Sequence, residues 1–198
     1  MTLSPTIRSF WRWFNGNADA VALAYDTADL GWLHAELSPR VSGLGSSINW
    51  EIGPYHHPDR TLVLSPTLRE NLPITRSAVA SAPTLDGWRF LHSKPAKDLA
   101  RLEFAAGGHT CNADGWHYVL TAYAGGDFVD IDLYLDCPVP TAELFCELVV
   151  EALIGEEDRL ERVGCVTPHV VTSSGLPTNA TPIPYLRYHL DETLGTQA

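Results

Sequence analysis

From Val129 to Asp136 the sequence VDIDLYLD alternates apolar and polar side chains without a break. A period of two belongs to a β-strand, whose successive side chains leave opposite faces. Val129, Ile131, Leu133 and Leu135 therefore share one face, and Asp130, Asp132, Tyr134 and Asp136 share the other. Such a strand needs a sheet with one buried and one wet face, and an apolar layer to cover the buried one. The following segment supplies that layer. Leu144, Phe145, Leu148, Val149, Ala152 and Leu153 repeat at helical spacing, with Thr141 as the expected N-cap and Gly155 as the stop.

The rest of the chain is read by the same two periods. Ile7, Phe10, Trp11 and Phe14 form one helical face behind Ser4-Pro5, and Leu30, Leu33, Leu37 and Val41 form a second behind a cap at Asp26 or Thr27. SINWEIG and RTLVLS predict a hairpin across PYHHPD, with His56 and His57 as exposed turn residues. A helix restarting at Pro73 and running to Ala82, then a strand over 88–92, follow. The second half predicts a strand over 99–104, a loop GGHTCNADG, and the paired strands WHYVLTAY and FVDIDLYLD across Ala124-Gly125-Gly126. The 141–155 helix comes next, then a strand over 162–171, a loop SSGLPTNATPIP and a last helix on Ile183, Leu186, Leu190 and Leu194. The expected fold is α+β: one largely antiparallel sheet with helices packed on one side, and a ββαβ unit duplicated after two helices. The 198 residues are read as one domain with sub-units 1–95 and 96–198.

A chain of this length buries roughly 70% of its unfolded surface and needs neither metal nor disulfide for stability. Cys111, Cys137, Cys146 and Cys165 are sparse and form no CxxC pair, so they are expected to be reduced thiols. No apolar run reaches the ~20 residues of a membrane span. MTLSPTIRSFWRWF lacks a basic start followed by an apolar stretch, so a cytoplasmic protein without membrane contact is expected. Eleven Arg and two Lys stand against 24 acids, which argues against nucleic acid as a partner.

The imbalance is local. Residues 127–161 carry eleven acids and one base, Arg159, while the other 163 residues carry 13 acids and 12 bases. On the 141–155 helix Glu143, Glu147 and Glu151 lie four apart, a spacing at which like charges repel by ~0.2–0.5 kcal/mol per pair. Two readings follow: a solvated face of an acidic protein, or a docking face for a basic protein built from Asp130, Asp132, Asp136, Glu143, Glu147 and Glu151. The expectation carried forward is a non-catalytic protein that binds a basic protein partner and holds no cofactor.

One competing expectation is a metal-dependent enzyme using His109, Cys111 and His117 of GGHTCNADGWH, with Asp130 or Asp132, and Cys165 or His169 of GCVTPH brought in by folding. Against it stands the plainer reading of a glycine-rich turn carrying surface histidines. A cation shared by Asp130 and Asp132 lacks the looped glycine motif of calcium sites. Another expectation is a scaffold or homodimer subunit. GxSxG, GxxxxGK[ST], HExxH and a strand-following GxGxxG are all missing from the sequence. Trp13 falls off the stripe of the first helix and is the aromatic to inspect for exposure.

FWRWF, the INWEIGP to TLVLSP pair, APTLDGWRF and ALIGEEDRLERVGCV, spread over about residues 9–166, resemble a family of small bacterial proteins of unassigned function. These proteins begin with an aromatic FWxWF-type helix and carry an LGE-type turn after the last long helix, for which this chain has Ile154-Gly155-Glu156. The resemblance implies a bacterial α+β protein and carries over no catalytic residue. In charge alone the chain is also similar to small acidic immunity proteins that neutralise basic toxins.

Overall fold

The structure, a computed structural model, describes residues 4–55, 58–123, 125–126, 128–171 and 175–195. The chain divides into two compact units, Met1–Lys94 and Pro95–Ala198. The fold is α+β, with the strands distributed over three sheets where one was expected. The physical reason is that each unit closes its own apolar cluster around its own strands.

In the first unit α1 (Pro5–Asp26) and α2 (Leu30–Ser42) precede β1 (Asn49–Gly53), β2 (Arg60–Ser65), α3 (Leu72–Ala80) and β3 (Trp88–Leu91). The strand order is β1-β2-β3, antiparallel across the hairpin and parallel after the α3 crossover. Phe10, Trp11 and Phe14 of α1 enter the core. The Trp11 ring lies 4.7 Å from Phe90, and Phe14 lies 5.1 Å from Trp88. Buried indoles need an acceptor, and Trp11 Nε1 donates to the Ala78 carbonyl at 2.7 Å. Trp13 is half-buried, with the Arg40 guanidinium 4.2 Å above its ring. Pro73 sits in the first turn of α3, where its missing N–H has no partner to lose.

The expected cap of α2 is corrected. α1 runs on through Asp26, so Asp29 caps α2 by accepting from Trp32 N at 3.0 Å, and Thr27 Oγ1 donates back to Leu23 O. Ala28 takes φ 55 to make the tight turn between them. Leu30, assigned to the apolar stripe, is 61% exposed because it is the first residue of the helix.

The second unit contains β4 (Glu103–Ala106), β5 (His109–Asn112), β6 (His117–Ala122), β7 (Val129–Leu135), α4 (Ala142–Ile154), α5 (Glu156–Arg162), β8 (Val163–Val170), β9 (Thr181–Pro182) and α6 (Leu186–Leu194). β4 and β5 form a separate hairpin where GGHTCNADG was expected to be a loop. Gly107 at φ 57 and Gly108 at φ 78 make the two-residue turn whose positive dihedrals match strand twist. The main sheet has the order β8-β7-β6-β9, antiparallel at β6/β7 and β6/β9 and parallel at β7/β8. Phe145 and Val149 of α4, with Leu186 and Leu190 of α6, cover its buried face.

Two terminal signals act differently from expectation. Thr141 adopts φ 51 after Pro140 and its hydroxyl donates to the Pro140 carbonyl, so it makes no side-chain cap. Gly155, at φ 90, ends α4 but starts α5 directly. β8 is the edge of the main sheet. Val171 N donates to Leu135 O at 3.0 Å, so residues of the other parity, Pro168 among them, direct their backbone away from β7. Among the described residues no helix is long and apolar enough to cross a membrane.

Candidate functional site

The two units differ completely in charge. Residues 1–94 contain eight acids and eight bases, whereas residues 95–198 contain sixteen acids and five bases, so the whole −11 belongs to the second unit. Within that unit the side chains of β7 obey the alternation: Val129, Ile131, Leu133 and Leu135 are buried, and Asp130, Asp132 and Tyr134 face out.

Register fixes their neighbours on the outward face. Asp130 lies opposite Thr121, Asp132 lies between Val119 and Thr167, and Tyr134 lies between His117 and His169. No lysine or arginine occupies any of these positions. His169 Nε2 is 2.7 Å from Asp132 Oδ1, and the His169 ring stacks on Tyr134 with centroids 5.1 Å apart.

Asp130 is fixed by the irregularity of β8. Between Val163 and Val166 that strand has one residue more than β7 has between Val129 and Ile131. The extra residue frees the Cys165 N–H, which donates to Asp130 Oδ1 at 2.8 Å. Tyr123 Oη donates to Oδ2 of the same carboxylate. A Cβ at position 164 would fall 2.5 Å from Asp130 Oδ1, so the close approach requires Gly164. The Tyr123 hydroxyl, and then the Cys165 amide, hold the Asp130 carboxyl below the usual carboxylate range, and the same contact pushes the Tyr123 phenol up. Tyr123 is exposed and packs on exposed Phe128, ring centroids 5.8 Å apart.

The six acidic residues singled out from the sequence do not form one surface. α4 covers the buried face of the sheet, so Glu143, Glu147 and Glu151 lie on the far side from Asp130 and Asp132. Glu147 is held in a two-pronged pair by Arg159 of α5 at 2.6 and 2.7 Å, which removes the expected repulsion along the helix. Asp136 lies beyond the end of β7, beside Gly115 and Cys137. Asp127, His56 and His57 lie outside the described residues.

The metal-type residues are also apart. His109 is exposed at the β4–β5 turn, Cys111 is buried in the apolar cluster, and His117 lies on the outward face with its Nδ1 3.1 Å from Gly115 O. Among the described residues no three His, Cys, Asp or Glu side chains are grouped closely enough to hold a metal ion.

Arg162, immediately beyond the acidic stretch, escaped the sequence reading. It is buried, pairs with Asp191 at 2.7 Å and Asp158 at 3.4 Å, and donates to the carbonyls of Leu190 and Gly195 at the end of α6. Burial nonetheless pushes the Asp158 carboxyl up, against the pull of Arg162. His169, which the metal reading would have folding bring to His109 and Cys111, pairs instead with Asp132 on the outward face. No family model, no curated protein and no solved structure matches the chain.

Proposed function

We propose that the protein is a non-catalytic binding protein that docks a basic segment of another protein on the outward face of β6, β7 and β8. Asp130 and Asp132 form the charged centre, and Tyr134, Tyr123 and Phe128 offer ring surface around it. The observation that carries this reading is the carboxylate pair on an open sheet face that has no lysine or arginine at any facing register position, in the unit that holds all the net charge. Hydrogen bonds from Tyr123 and the Cys165 amide hold the Asp130 carboxyl below the usual carboxylate range. Guanidinium and ammonium groups fit both components, through carboxylate pairing and through stacking on aromatic rings. Grooves of about 460 and 400 Å³ in this unit are lined by β4, β5 and residues 136–140, and neither is lined by Asp132 or His169.

This reading narrows the expected strand-plus-helix surface to the strand side alone. The family resemblance and a bacterial origin belong to the same proposal, and add no residue to the site. The test is titration of a labelled arginine-rich peptide at low and raised salt. Asp130→Asn/Asp132→Asn is expected to weaken binding by about tenfold or more, equivalent to ~1.4 kcal/mol, and Glu143→Gln/Glu147→Gln by less than about twofold. Equal losses in the two double variants, or none in either, would remove the proposal.

A further inference from the structure

A second group of side chains lies away from that face. Cys111 of β5 and Cys137, two residues beyond β7, both line the groove of about 400 Å³ together with Asp136 and Pro138. Cys137 is exposed, whereas Cys111 is 7% exposed and reaches the groove from the apolar cluster. Burial is the main cause that raises the Cys111 thiol, and the charge of nearby Cys137 is the next. Cys137 is raised in turn by desolvation and by Asp136, whose carboxylate accepts its S–H. Cys146 is fully buried and pushed up to about 12 by burial, and Cys165 sits beside Asp130 on the outward side of the sheet. Cys137 is thus an exposed thiol with a second thiol in its own groove.

We propose that Cys137 and Cys111 form an oxidation site that closes to an intramolecular disulfide by exchange with a small-molecule disulfide. In the first step the Cys137 thiolate attacks one sulfur of the reagent, the reagent's S–S bond breaks, and one small thiolate leaves. In the second, the Cys111 thiolate attacks Sγ of Cys137, the mixed disulfide breaks, and the other small thiolate leaves. The two protein thiols lose two electrons and their two protons pass to solvent, while the reagent is reduced to two thiolates. Exposure sets the order, because only Cys137 is open to the first attack. The product ties the β4–β5 hairpin to the end of β7 and closes the loop from 111 to 137. The thiolate is the nucleophile and both thiols sit above the ordinary range, so the reaction is slow at neutral pH and quickens as pH rises.

The experiment uses the full chain, excess oxidised glutathione, and intact mass with peptide mapping after alkylation, at neutral and alkaline pH. A monomer lacking two hydrogens with a Cys111–Cys137 linked peptide is expected, forming faster at the higher pH. Cys137→Ser should leave the groove unmodified. Cys111→Ser, or Cys111→Ala if the serine variant is unstable, should stop at one glutathione retained on Cys137. Wild-type protein that keeps the glutathione on Cys137, or that joins Cys137 to Cys165, to Cys146 or to a second chain, would overturn the proposal.

Discussion

Each unit contains the same arrangement, an antiparallel hairpin followed by a helical crossover to a strand parallel to the second hairpin strand. The central strands of the two differ. In β2 the residues from Thr61 to Ser65 are all buried, while β7 alternates buried and half-exposed from end to end. One topology thus serves two purposes. A strand enclosed on both faces offers a partner nothing except its ends, whereas a strand with an open face offers a surface whose chemistry can vary without touching the core. The electrical difference follows the same line, since the unit with the enclosed strand is neutral and the unit with the open strand carries −11.

The strongest way to break this contrast is to place a carboxylate on the enclosed strand. Val63→Asp, at a position with 0% exposure, is expected to cost about 4 kcal/mol or more and to prevent folding of the first unit, whereas Asp132→Val on β7 should leave thermal stability within about 1 kcal/mol. Circular dichroism melts of the two variants measure this directly, and similar losses would show that β7 is not open in the sense argued. Next in size is the buried cation of the second unit. Arg162→Met should lower stability by about 3 kcal/mol in urea unfolding, since it strands Asp158 and Asp191 and releases two carbonyls at the end of α6.

A smaller effect has the opposite sign. Trp11 has its hydrogen bond, but among the described residues the buried Tyr118 hydroxyl has no partner, and burial raises its pKa. Tyr118→Phe should therefore stabilise the protein by about 1 kcal/mol in the same measurement, and a loss would reveal an acceptor for that hydroxyl. The smallest effect concerns Asp130→Asn. The carboxyl is held below its unfolded value of about 4, so its contribution is complete above that pH and fades as pH falls through the folded-state value. The difference in melting temperature between wild type and variant should be constant from neutral pH to about pH 5 and shrink at lower pH. A difference that grows in acid would contradict the assigned hydrogen bonds.

The elements that were legible in the sequence are those with a sustained period. The stripe of α4 and the alternation of β7 each name their buried residues, since burial there is set by spacing alone. β5 was hidden because His109, Thr110 and Asn112 are polar and exposed, leaving Cys111 as the only buried residue in a four-residue strand. The helix and strand acids could have been assigned to opposite sides from the sequence: a helix that covers the apolar face of β7 must turn its own glutamates away from that strand's aspartates. The contact of His169 with Asp132 was beyond reach, because it depends on a parallel register displaced by one residue at Gly164-Cys165, and no local pattern encodes it. The motifs that carry the family resemblance are used for packing. Phe10, Trp11 and Phe14 of FWRWF fill the core and Gly155 of the LGE-type turn joins two helices, so they speak to fold and not to activity.

The edge position of Pro168 bears on what can add to that rim of the sheet. β8 is the longest strand in either unit, and its free side would otherwise present an uninterrupted row of amide donors to any extended chain that passed. The imino ring removes one donor from the middle of that row, so a stray strand that begins to zip along the rim meets a gap halfway and detaches. The open aspartate face thus adjoins a margin whose ladder of donors is interrupted.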